Sequence, residues 1–428
     1  MGPTHDASSA DRATRAWAPV LAKLRLVGDG RGAALLSPDA NVQWWCAPDF
    51  DGPPLCWRLL DEYGGRARFP ALEYVDADDV PAAPSATTLL RDQLGVIEVR
   101  DAILSVDDGV ALVRLLRRRR GLAAAQHGIV EQELRLGGFD TSVVHWEDDG
   151  QTATGVLSAA DHVTSPRARG PSRGLRRGAA DTAGCLEHEW TALVVAVDAQ
   201  VDADAVRLIA DVEARDAVAR RALEDGVLPS HHPRRALDAL AVIRACTSRA
   251  SGAVAAAPTT SLPEAPGHDR QFDYRYTWLR DASLSTAVAA LLGKGSDARR
   301  YLEFVNDAWG DADVVTQPVL DVRGAAVPDE RTVDGVSGWG ASLPIRLGNG
   351  ASGQTQYDSL GLFAEAVSVT YRSAASSTVG PGRSWSAWPI RSPTTTPARP
   401  RRATASGRCR SRSRWSTATS GGGCCSTA

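Results

Sequence analysis

The chain has 428 residues, with 43% hydrophobic and 23% charged side chains, ordinary globular values that exclude a lone mini-domain or one long disordered segment. Its formal net charge of −3 conceals an asymmetry: all 51 acidic residues lie at or before Glu365, whereas the last 63 residues hold 10 Arg, 22 Ser or Thr and no Asp, Glu or Lys. Without that tail, 38 basic residues face 51 acidic ones, and so acidic a body excludes a general nucleic-acid binder, whose affinity comes from neutralising phosphates.

Residues 1–19 contain no apolar run of the signal-peptide kind, and nowhere does a run of about 18 apolar residues occur. The expectation is a soluble, cytoplasmic protein with no membrane and no nucleic-acid partner. The cysteines form no CxxC pair. Cys46, Cys56, Cys185 and Cys246 are expected to be buried thiols, and no metal site is expected. His231 and His232 are adjacent, not four apart, so they do not share a helix face.

From Leu24 to Val201 the apolar runs are short, rich in Val, Ile and Leu, and broken by Gly, Asp and Pro. Residues 95–100, 110–115, 130–136 and 191–197 show partial period-two alternation, which predicts an antiparallel sandwich. The glycine-rich residues 28–32 superficially resemble a nucleotide loop but lack the following helix, and a β-turn is expected. The arginines at 117–120 read as a solvated strand end, and residues 165–178 as an exposed loop.

After Val206 the period changes. Residues 212–223 read as a linker helix, and Pro233 opens another with Ala236, Leu237, Leu240 and Ile243 on one face. Helical spacing returns in Leu284, Val288, Leu291 and Leu292, closed by Gly293. It recurs in Tyr301, Phe304, Val305 and Ala308, and in Leu360, Phe363, Ala364 and Val367. A β domain followed by stacked helices is the coarse architecture.

The stretch from Asp273 to Asp281, Asp-Tyr-Arg-Tyr-Thr-Trp-Leu-Arg-Asp, carries the chemistry. Flat rings cover the C–H face of a pyranose, while carboxylates and guanidinium groups take its hydroxyls. The same residues would also serve as an Arg–Asp pair tying helix ends together over an aromatic core. Composition alone leaves both readings open.

This stretch resembles the first substrate-binding loop of glycoside hydrolase family 15, the glucoamylase and bacterial trehalase-like enzymes. Three further segments resemble the family in the same order. They are residues 28–51, with Trp44 to Pro48 and Phe50-Asp51; residues 252–264; and residues 337–361, with Gln354-x-Gln356-x-Asp358. The resemblance implies a mainly β N-terminal super-sandwich over residues 1–205, a linker helix region over 206–232, and an all-α, incomplete (α/α)6 barrel over 233–370. It implies an inverting exo-acting hydrolase of terminal α-linked glucose in oligosaccharides, as in a glucan 1,4-α-glucosidase, or of trehalose, with no cofactor. Tyr274 and Trp278 would wall the sugar pocket and Arg280 and Asp281 would hold its hydroxyls. Gln356 and Asp358 would face it from a later helix.

In the family the acid and base are both Glu, the acid in a Gly-Ile-Trp-Glu-like motif after the Gln-x-Gln-x-Asp segment. Neither is present here, and Glu264 and Glu330 match neither role. Joining the third base of each codon to the first two of the next lets residues 404–410 read Gly-Ile-Trp-Glu-Val-Pro. Residues 371–428 are therefore expected to be an out-of-frame tail, and the product inactive; the alternative is a non-catalytic carbohydrate-binding or vestigial fragment. A tail in its proper frame would instead be a disordered Arg/Ser/Thr-rich segment for RNA or an anionic membrane.

Overall fold

The computed structural model describes residues 17–106, 109–121, 128–139, 145–148, 152–158, 163–164, 166–169, 180–185, 189–310 and 317–376. Two sheets built from strands before residue 198 lie face to face. One runs in the order Ala180–Cys185, Gly128–Arg135, Arg66–Arg68, Val42–Cys46, Ala33–Leu36, Arg25–Gly28, Ala82–Ala83, with Pro54–Cys56 beside Val42–Cys46. The other runs His145–Asp148, Thr152–Ser158, Pro166–Arg169, Thr191–Val197, Gly109–Gly121, Gly95–Val106, Ser85–Asp92, Glu73–Ala77. Neighbours pair antiparallel, except Arg25–Gly28 with Ala82–Ala83. Val27, Leu36, Trp45 and Leu134 of the first sheet meet Ile103, Leu112 and Val195 of the second in a shared core, as a sandwich requires.

Alternation is only partial because central strands of both sheets are covered on both faces. All five residues of Val42–Cys46 are buried: Trp45 points into the sandwich, whereas Trp44 and Cys46 pack against Val333, Val336 and Ile345 of the later chain. On the second sheet, Leu104, Val113 and Val194 are covered by Leu208, Ile209 and Val212 of α1 (Ala205–Glu224). The linker helix is thus a packed layer, capped by the Asp204 carboxylate, which accepts from the Val206 and Arg207 amides.

Residues 28–32 form the turn between two strands, with Gly30 at φ +91°. The arginine run is corrected at Arg117 to Arg119: these side chains are paired, because the antiparallel register sets them beside acids. Arg118 is buried and donates to both Asp92 oxygens at 2.8 Å, and Arg117 and Arg119 share Glu98 at 2.6 and 2.9 Å. Within the expected loop at 165–178, Pro166–Arg169 is a strand paired with Thr191–Val197; residues 170–178 lie outside the described residues.

The remaining helices are α2 (Pro233–Ala245), α3 (Leu279–Leu291), α4 (Gly295–Trp309) and α5 (Asp358–Ser376). Pro233 starts α2, and Gly293, at φ +81°, follows the last turn of α3. Tyr301, Phe304 and Val305 of α4 are buried. The expected faces of α3 and α5 are not the buried ones. Leu284, Val288 and Leu291 are about half exposed, while Ala282, Ser283, Thr286, Ala289 and Ala290 are buried. On α5 the buried residues are Ser359, Ala366 and Thr370; Leu360, Phe363 and Val367 are only partly covered, and Ala364 is exposed. Small side chains let α3 and α5 pack side by side, and close backbone approach replaces a bulky apolar stripe. The tail at 377–428 lies outside the described residues.

Candidate functional site

Thr277–Trp278 forms a two-residue strand against Val319–Leu320, and α3 starts at the next residue. Arg280 and Asp281 consequently occupy the first turn of α3, and Asp358 opens α5. A carboxylate in a first helical turn is favoured by the positive dipole end. Around Arg280 the six residues expected at the site come together. Its guanidinium lies 3.6 Å from Asp281 and 3.5 Å from Asp358, and Nη1 donates to Gln356 Oε1 at 3.3 Å. It also stands over the Trp278 ring at 5.8 Å, and the Tyr274 and Trp278 rings are 5.9 Å apart.

This cluster is open: the side chains of Arg280, Asp281 and Asp358 are 38%, 52% and 57% exposed. Trp278 is mostly buried, and its indole Nε1 is buried without a hydrogen-bond partner. Gln356 differs from expectation in one respect: it stands in the loop before α5, where Gln354 Oε1 accepts from its amide at 2.9 Å.

The two Arg–Asp pairs of the aromatic loop differ in burial. Asp273 and Arg275 are buried and paired in a bidentate fork, at 2.8 and 2.7 Å. Burial opposes the Arg275 charge, but Asp273 outweighs it and holds the guanidinium protonated. Tyr276 is likewise core, packed with Trp278, Val319 and Val327. Neither composition nor spacing carries this division, because Tyr276, Thr277 and Trp278 are buried in succession after Arg275.

Glu264 and Glu330 are both engaged by arginines. Arg270 donates to Glu264 at 2.8 Å and holds its carboxyl below the usual range; Arg346 lies 3.1 Å from Glu330. Cys46, Cys56 and Cys246 are buried thiols, while the Cys185 side chain lies outside the description. Among the described residues, no group of three His, Cys, Asp or Glu side chains could hold a metal ion, and no helix is long and apolar enough to cross a membrane. A cavity of about 410 Å³ lies elsewhere, among the turn at Gly28–Gly30, α1 and α2. Two of its arginines are neutralised there, Arg215 by Asp29 at 3.7 Å and Arg244 by Asp297 at 3.5 Å.

Residues 237–380 match the family model described as glycosyl hydrolases family 15. The trehalase of Mycolicibacterium smegmatis is 26% identical over 379 residues, 82% of this chain and 57% of that protein. Trehalase 2 of Sulfolobus acidocaldarius is 34% identical over 154 residues, 36% of this chain and 27% of that protein. A bacterial glucoamylase complexed with acarbose aligns over 72% of this chain and 53% of its own at 9% identity, with a TM-score of 0.43. Residues 237–380 thus carry a glycosyl hydrolases family 15 region, and most of the chain is similar to a trehalase. The chain spans little more than half the length of the M. smegmatis trehalase and less of the S. acidocaldarius one.

Proposed function

We propose that this chain carries the glucose-binding part of an inverting family 15 hydrolase acting on trehalose or on terminal α-linked glucose of oligosaccharides. The observation that carries the reading is the convergence of Tyr274, Trp278, Asp281, Gln356 and Asp358 on Arg280. Its exposed guanidinium and carboxylates offer directional partners for sugar hydroxyls, and the rings supply an apolar wall. Residues 233–370 would belong to a helical barrel whose remainder is encoded in another reading frame after about residue 371.

Inversion needs an acid and a base on opposite faces of the sugar, roughly 6.5–9.5 Å apart, leaving room for a water. The pairing of Glu264 with Arg270 and of Glu330 with Arg346 favours a second reading for the 428-residue product, that of a sugar-binding fragment without catalysis. Glucose release from trehalose, maltose and maltodextrin tests both. None is expected from this chain, and release once the frame is restored; release at an ordinary enzymatic rate from the 428-residue chain sinks the inactivity, and an alternate frame that opens onto stops sinks the frameshift.

A further inference from the structure

We propose that the buried Asp273–Arg275 pair is the positioning hub through which the sandwich sets the candidate sugar loop, making the sandwich a working part of that site. This rests on the reading that Arg280 and its neighbours bind glucose. The four segments that resemble the family meet at this pair. Arg275 Nη1 reaches into the sandwich, donating to the Gly52 carbonyl at 2.6 Å and approaching Cys46 Sγ at 3.4 Å. Gly348 N donates to Asp273 Oδ2 at 3.2 Å, and Asn349 Nδ2 donates to the Asp273 carbonyl at 3.0 Å. Thr260 is bridged to Asp273 through the backbone, and the amides of Ala256 and Ala257 donate to the Tyr276 and Tyr274 carbonyls, each at 2.9 Å.

A buried ion pair is weak evidence for stability, because desolvation offsets its attraction. Its value here is geometric: a planar fork with fixed donor directions registers three loops against the sandwich, three residues before Trp278 and five before Arg280. Neither Asp273 nor Arg275 is exposed enough to meet a sugar. They act through the loop they hold.

The test uses the full chain, titrated with trehalose and maltose, and the indole N–H resonance of Trp278, assigned by its loss in Trp278→Phe. Arg275→Lys keeps the charge and loses the fork; it is expected to weaken sugar affinity about tenfold well below the unfolding temperature and to move that resonance. Asp92→Asn, which breaks a buried pair within the sandwich, is expected to lower the unfolding temperature and leave both readouts unchanged. The proposal is overturned if Arg275→Lys lowers the unfolding temperature alone. If the unsubstituted chain binds neither sugar but the resonance moves, the sugar reading fails and the positioning of the loop stands.

Discussion

Arg280, in the first turn of α3, lies 3.5 Å from Asp358 at the start of α5, so the N-termini of two packed helices meet across one guanidinium. Because this contact is largely solvent-exposed, Arg280→Ala is expected to cost under about 1 kcal/mol of stability. Trp278→Ala, which empties part of a packed aromatic cluster, is expected to cost about 3–5 kcal/mol. Urea unfolding of the two variants measures the difference; equal costs would contradict the division between an open polar rim and a buried aromatic wall.

The repacked helices give a second expectation. Leu284→Gln, Val288→Gln and Leu291→Gln are each expected to change stability by no more than about 0.5 kcal/mol. Ala289→Leu, placed against the close-packed side of α3, is expected to cost about 1–3 kcal/mol by overpacking. Thermal unfolding of the four variants reads this directly, and a large loss in Val288→Gln would show that face to be covered.

Acid should destabilise the sandwich. The Arg118 hydrogen bond pulls Asp92 below its ordinary 3.8. Burial pushes Glu98 and Glu133 up, but Arg119 with Arg117, and Arg66 with Arg68, more than reverse it and leave both below 4.5. These contributions are present above the ordinary values and are lost as pH falls through the lowered ones. Asp51 runs the other way: burial, only partly offset by Arg323, raises its pKa, so its contribution is present below 3.8 and lost as pH rises through the folded value. Among these sandwich carboxylates three oppose one, and the unfolding temperature is expected to fall as pH drops below about 4.5, less steeply in Glu98→Gln. A midpoint that rises with acid would contradict this.

Burial also pushes the thiols up, Cys46 to about 11 and Cys246 to about 12, the nearby Arg275 notwithstanding in the first case. Since the thiolate is the reactive form, neither should be alkylated by iodoacetamide at neutral pH until the chain unfolds. Peptide mapping before and after denaturation checks it.

The change from strands to helices, the turn at Gly28–Gly30, the start of α2 and the buried face of α4 were all legible, because each rests on spacing or on a residue with one strong local preference. The faces of α3 and α5 were not, since hydrophobic periodicity weights large side chains and these helices approach through Ala, Ser and Thr. Nor was the pairing of Arg117 to Arg119, which depends on a register that brings Glu98 and Asp92 alongside. At the site, the convergence on Arg280 followed from the resemblance, whereas the separate fate of Asp273 and Arg275 required knowing that Gly52 and Gly348 arrive from distant segments.

The residues around Arg280 are proposed to form a sugar site. Isothermal titration of the 428-residue chain with glucose, maltose and trehalose tests it most directly. Saturable binding of at least one of these sugars is expected, abolished in Arg280→Ala while the variant remains folded. Binding that survives Arg280→Ala unchanged, or no binding of any of the three by the folded chain, would contradict it.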